Sequence, residues 1–136
     1  MKVVVDTNVL VSAILSPSGP PAQILDLILS RRIILLISHA ILSEYSEVLN
    51  RKEFSFDIKL VSAFLHILMT YAEKVTASAC SIHLPDPDDE PFLACAISGN
   101  ADFLITGNKK HFPEASCHPI KPVSPAEFLA DWTDLS

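Results

Sequence analysis

Glycine is scarce in this chain, three residues in 136. Phosphate-cradling loops need clustered glycines so that backbone amides can wrap the anion. Their scarcity argues against a nucleotide-hydrolysing protein. Cysteine is equally rare: Cys80, Cys95 and Cys117 are an odd set with no paired spacing. That excludes a disulfide scaffold and reads as a reduced, cytoplasmic protein. Basic residues number ten against sixteen acidic ones, a formal net charge of −6. Such a balance argues against non-specific coating of nucleic acid. It leaves open a nucleic-acid substrate gripped by local basic spots and metal ions. Long apolar runs are missing too. The most apolar stretch, Ile24 to Ile37, contains Asp26, Arg31 and Arg32, so it is not a membrane span. Asp6 interrupts the apolar start, which speaks against a secretory leader.

What remains is a composition for a well-filled core, 49% hydrophobic and 19% charged. No repeat, linker or low-complexity tract divides the chain, and one domain over residues 1–136 is the simplest expectation.

The first nine residues set the pattern. Val3-Val4-Val5 is a β-branched run without alternation, as in a strand buried on both faces of a parallel sheet. Thr7 and Asn8 break it, and Val9, Leu10, Ala13 and Ile14 resume at helical spacing. Asp6 thus falls at the carboxyl end of a central strand, where open α/β sheets place ligands. A carboxylate there either caps the next helix or pairs with something positive.

The rest alternates as a parallel sheet with crossovers requires. After the turn cluster Ser16 to Pro21 comes a helix through Ile24 and Leu29, with Arg31 and Arg32 at its favourable end for cations. Ile33 to Ile37 reads as the second buried strand, and Ser38 as the cap of a helix from His39 to Asn50. Asp57 opens a helix whose Val61, Phe64, Leu65, Leu68 and Met69 form a wide apolar stripe, for the core or a subunit interface. Lys74 to Ala79 is a candidate short strand. Leu84 to Pro91 is a rigid acidic loop leading into a helix from Pro91 to Ser98, closed by Gly99. Asp102 to Thr106 is the next strand, followed by a loop from Gly107 to Pro113. Ile120 to Val123, flanked by prolines, suits an edge strand, and Ser124 caps a last helix from Pro125 to Trp132.

Four positions place oxygen ligands near the strand ends. Asp6 is one. Glu44 borders the apolar arc of Ile41, Leu42, Tyr45, Val48 and Leu49, whereas Glu47 turns toward solvent. Asp89 stands three residues before Phe92 and four before Leu93, on the inward side of its helix start, while Asp88 and Glu90 point elsewhere. Asn108 lies just past the strand that ends at Ile105-Thr106. Each has an ordinary reading as well: Glu44 as a boundary glutamate, Asp89 as a residue favoured by the helix dipole, Asp86 as a turn residue between prolines. Taken together, Asp6, Glu44 and Asp89 meet the requirement for a Mg²⁺ or Mn²⁺ site, since hard cations take oxygen ligands and keep several waters. Such a site activates water for in-line attack on a phosphodiester.

These residues resemble the PIN-domain family, in particular its VapC-like toxin ribonucleases. The likeness is carried by Val-Val-Val-Asp-Thr-Asn-Val-Leu-Val-Ser-Ala at 3–13 and Ile-Leu-Ser-Glu-Tyr at 41–45. It continues through Asp-Pro-Asp-Asp at 86–89, with Phe92, Leu93 and Ala96, and Ala-Asp-Phe-Leu-Ile-Thr-Gly-Asn at 101–108. The resemblance implies an α/β three-layer sandwich with a central parallel sheet flanked by helices. It implies metal-dependent endonucleolytic cleavage of RNA, a small antitoxin partner that occludes the cleft, and a homodimer. The family's acidic quartet falls on Asp6, Glu44, Asp89 and the position of Asn108, where an aspartate is common. The amide there implies a weaker second metal. Thr106 is placed to orient a water or a phosphate, and Thr7 and Asn8 to fix the first turn.

Two rival readings stand beside this one. Cys80 and His83, with Cys117 and His118, have partial zinc-ligand spacing, but the second half lacks a proper pair. An inactive PIN-like module that binds RNA or a protein partner without cutting would also accommodate Asn108. His39, His66 and His111 read as helix-surface or packed histidines. Lys109, Lys110, Arg51 and Lys52 are basic spots suited to phosphate or simply to solvent.

Overall fold

Lys2–Val5 forms β1, and its valines are almost wholly buried: Val3 and Val4 at 0% exposure and Val5 at 2%. Consecutive buried residues need cover on both faces of a sheet, which parallel strands with helical crossovers supply. A computed structural model of the chain describes residues 1–78 and 82–135. It places β1 at the centre of a five-stranded sheet in which every pairing is parallel.

After β1 come α1 (Thr7–Leu15) and α2 (Pro20–Leu29), then β2 (Ile34–Ile37). α3 (His39–Leu49) follows, and a 3₁₀ turn at Lys52–Phe54 leads to α4 (Ile58–Tyr71) and β3 (Glu73–Lys74). A second 3₁₀ turn, Pro87–Asp89, runs straight into α5 (Glu90–Ser98), which is followed by β4 (Phe103–Ile105). The chain ends with a 3₁₀ turn at Lys109–His111, the short α6 (Glu114–Cys117), β5 (Lys121–Val123) and α7 (Pro125–Leu135).

The strand order is β3-β2-β1-β4-β5. Val3 pairs with Leu35 on one side and Phe103 on the other, and Val5 pairs with Ile105. The chain therefore builds outward from β1 through β2 and β3, then crosses to the other side of β1 for β4 and β5. The order reverses between β1 and β4, so a crevice opens beyond their carboxyl ends.

The expected α/β sandwich with a flanked parallel sheet is the observed fold, with local differences. The strand expected over Lys74 to Ala79 is confined to Glu73–Lys74, extended by one bond from the Val75 amide to the Ile37 carbonyl at 2.8 Å. β2 stops at Ile37 and α3 begins at His39, so nothing further is left to pair with. Ala79 lies outside the described residues. β5 is an edge strand as expected, and Pro122, which has no amide proton, sits where that proton is not needed. The rigid acidic loop contains a 3₁₀ turn, Pro87–Asp89. Gly99 does close α5, but with φ −94 its role is steric. A Cβ there would lie 2.6 Å from Leu36 Cδ1, and the left-handed residue is Asn100, with φ 55. On α4, Val61, Leu65 and Leu68 face the core, as the stripe predicts.

Tyr45 ties α3 to the central strand. Its ring is fully buried, lies 6.4 Å from Phe92, and its hydroxyl donates to the Val5 carbonyl at 2.5 Å. Burial also raises the phenol's pKa well above its ordinary value, so it remains a donor. Tyr45→Phe removes this donor while keeping the ring. The expected cost is roughly 1 kcal/mol, a drop in Tm of about 3–5 °C by thermal denaturation. An unchanged Tm would mean that the bond contributes nothing to docking α3.

Candidate active site

Asp6 follows β1 directly. Its amide donates to the Ile105 carbonyl of β4 at 2.9 Å, which continues the ladder by one bond and places the side chain at the crevice. By backbone position Asp6 is the N-cap of α1, yet its carboxylate makes no capping hydrogen bond. Instead Oδ2 accepts from the Thr106 hydroxyl at 2.8 Å. Thr106 is itself fully buried, and its Oγ1 accepts from the Asn108 amide at 3.1 Å. Asp6 is only 5% exposed. The capping reading thus holds for the backbone and fails for the side chain.

Glu44 reaches the same crevice from α3. Its Oε2 accepts a short hydrogen bond from the Thr7 hydroxyl, one residue beyond Asp6. The neighbouring Tyr45 bond to Val5 fixes the helix position from which Glu44 extends. Its partner on the first turn of α1 distinguishes it from a boundary glutamate; Glu47, by contrast, is spent on Arg51 at 3.4 Å.

Asp89 comes from the start of α5. Its backbone is already helical, φ −84 and ψ −17, and its side chain caps nothing. Oδ2 is buried and has no hydrogen-bond donor. His111 Nδ1 lies 3.1 Å from that oxygen, but close approach without alignment is not a hydrogen bond. The other acids of the loop are occupied elsewhere. Asp86 accepts from the Asp88 amide at 3.0 Å, Glu90 accepts from the Leu84 amide at 3.2 Å, and Asp88 is exposed.

The three carboxylates act on one another. Burial is the main cause that pushes all three pKa values up, and Asp89 reaches about 6. The charge of Asp6 raises both Glu44 and Asp89, and Glu44 raises Asp89 further. Thr106 eases Asp6, as do the facing amides of Thr7 and Asn8, and Thr7 eases Glu44. His111 eases both Asp6 and Asp89. Among the described residues no group of three or more Asp, Glu, His or Cys side chains stands ready to hold an ion outright. The donor set nevertheless suits a hard divalent cation completed by water or phosphate: all oxygen, mutually repelling, with one buried oxygen lacking a donor.

Asn108 lies exposed at the mouth and is tied to this site through its backbone amide, which donates to Thr106. Of the basic spots, Lys109 is paired with Glu127 at 2.9 Å and Arg51 with Glu47, while Lys52 and Lys110 are exposed. Zinc ligation gains no support among the described residues, and Cys80 lies outside them; Cys117 is buried and His83 and His118 are exposed. His39 and His66 are surface residues of α3 and α4 as expected. His111 ends a 3₁₀ turn with its side chain partly exposed, and it has a second role that the surface reading did not include. It belongs to the acidic crevice, brought there because Phe112, 1% exposed, anchors the end of its loop. The one sequence signal was a histidine beside a buried aromatic, soon after the strand carrying Thr106.

Comparison with known proteins places these residues in context. Residues 2–110 match the family model described as PIN domain. An uncharacterised protein of Methanocaldococcus jannaschii is 30% identical over 97% of this chain and 92% of its own length. VapC50 of Mycobacterium tuberculosis, a provisionally named ribonuclease, is 41% identical over 35% of this chain and 29% of its own. Two solved structures share the fold. VapBC2 of Rickettsia felis, bound to a DNA fragment from its promoter, superposes with a TM-score of 0.66 at 20% identity, over 91% of this chain and 98% of that one. VapBC-1 of nontypeable Haemophilus influenzae gives 0.62 at 16% identity, over 93% and 99%.

The raised acids predict a pH-dependent stability without metal. Asp89 holds its proton more tightly when folded, so its destabilising contribution is absent below its ordinary 3.8 and complete above about 6. Asp89→Asn removes that contribution. In chelator, the variant should melt a few degrees, about 2–4 °C, above the parent at pH 7.5, with the difference shrinking toward pH 4. A lower melting point for Asp89→Asn at pH 7.5 would contradict the repulsion argument.

Proposed function

Because this chain belongs to the PIN-domain family, we propose that it is a Mg²⁺- or Mn²⁺-dependent endoribonuclease, the toxin of a toxin–antitoxin pair, working as one domain. What supports this reading is that Asp6, Glu44 and Asp89 come from three separate segments, repel one another's charge, and make no helix-capping hydrogen bond. An acid that neither caps nor pairs is costly to bury, and a cation repays that cost.

Asp6, Glu44 and Asp89 would hold the cation. When bound, it supplies an activated water and counters the charge on a scissile phosphate. The residues around it prepare the site. Thr106 turns Asp6 Oδ2 toward the end of β4, and Thr7 holds Glu44 Oε2 over the first turn of α1. Both bonds remove freedom before any ligand arrives, so less ordering is left for the moment of binding. Lys110, exposed on the loop after β4, suits the neighbouring phosphates of an RNA strand. The resemblance to VapC-like toxins supports a small antitoxin as partner and a homodimer, and the shared fold of the VapBC2 and VapBC-1 structures agrees with it.

The reading of a module that binds without cutting draws on Asn108, whose amide brings no charge to the site. One assay separates the two. The purified chain should cleave single-stranded RNA in Mn²⁺, and Asp6→Asn should lower the rate by at least about a hundredfold. RNA retained without products in saturating Mn²⁺ would favour the binding module, and cleavage undiminished in Asp6→Asn would locate the activity elsewhere. Asn108→Asp should raise the rate at limiting Mn²⁺. A rate unaltered across the metal titration would remove Asn108 from the account of metal affinity.

A further inference from the structure

We propose that His111 fills the cation's place in the metal-free protein and leaves it when the cation binds; this rests on the metal-site reading above. Its Nδ1 lies 3.1 Å from Asp89 Oδ2, the buried oxygen without a hydrogen-bond donor. It also eases the charge on Asp6, so one ring acts on acids contributed by β1 and α5. A positive group beside these acids does part of what a bound cation would do there.

The ring has a way out. His111 is 41% exposed at its side chain, and no hydrogen bond pins it to Asp89. Its backbone, by contrast, is secured. The His111 amide donates to the Asn108 carbonyl at 3.1 Å, and the Phe112 amide to the Lys109 carbonyl at 3.1 Å. Lys109 is paired to Glu127 of α7, itself held by reciprocal bonds with Ser124. Phe112 is buried. Release therefore takes side-chain rotation and leaves the loop in place.

Calorimetric titration of the intact chain with Mn²⁺ at one fixed pH, without RNA, tests this. His111→Ala should bind Mn²⁺ roughly tenfold more tightly than the parent, and Asp6→Asn should bind it at least tenfold more weakly. Equal affinity in His111→Ala would overturn the inference while leaving the metal site standing. Weaker affinity would overturn it too, making His111 a positioning group that supports Asp89. Absence of binding in both parent and His111→Ala would overturn the inference and the metal reading together. NMR of the unmodified chain gives a second measurement: the His111 ring resonances should move on addition of Mg²⁺, and should not move in Asp6→Asn. Ring resonances that stay fixed while the parent binds Mg²⁺ would also overturn the inference.

Discussion

The reversal of strand order between β1 and β4 is the constraint on which the rest of this molecule depends. Parallel strands on both sides of β1 bury its valines completely, and the same geometry leaves the residue after β1 at the mouth of a crevice. The Asp6 amide still reaches the Ile105 carbonyl, so the backbone is fixed up to the point where the carboxylate begins. Thr106 then takes that carboxylate from the β4 side. Two neighbouring strand ends thus hold an acid in a place where solvent cannot compensate its charge.

The second and third acids follow from this first placement and add to its cost. Each is provided for differently. Asp6 has the Thr106 hydroxyl and Glu44 the Thr7 hydroxyl, whereas Asp89 has no hydroxyl and faces an imidazole instead. A hydroxyl orients a carboxylate without neutralising it, so repulsion persists in both oriented acids. Folding tolerates this because the core is large. The residues buried around Tyr45, Phe92, Phe112 and the valines of β1 supply stability that the site can draw down. Local electrostatic conflict inside a well-packed frame is the pattern expected where function, and not packing, selects the residue.

Much of the fold was legible in the sequence because it rests on local burial patterns. Val3 to Val5 and Ile33 to Ile37 read as buried strands without knowing their partners, although β2 begins at Ile34, which is exposed. Asp6, Glu44 and Asp89 were legible as candidates by position. The sequence could not separate a helix-start role from a site role for Asp6 and Asp89, or a boundary glutamate from a site residue for Glu44, because each pair of roles begins from the same backbone position. That choice is made by distant residues: Thr106 for Asp6, 100 positions away, and Thr7 for Glu44, 37 positions away. His111 was missed for a related reason. Its approach to Asp89 depends on the path of the loop after β4, which is set by Phe112 and by the Lys109 pair with α7. The length of β3 was misread because a strand's extent depends on the neighbour available to it, and β2 has ended by then.

Asn108 is the position where this chain departs from the acidic pattern, and its surroundings say what the departure changes. The loop there is held by backbone bonds, from the Asn108 amide to Thr106 and from the His111 amide to the Asn108 carbonyl. Neither bond involves the side chain, so amide and carboxylate would occupy the same loop. The difference between them is therefore one of charge. A fourth carboxylate would add repulsion to a crevice that already raises the pKa values of three, and would demand more from any cation that relieved them. The amide lowers that demand and gives up a charged ligand in exchange. With His111 easing two of the remaining acids, the crevice can stay folded without a cation, and on the reading proposed here a cation then binds by displacing a side chain instead of filling an open, fully charged cage.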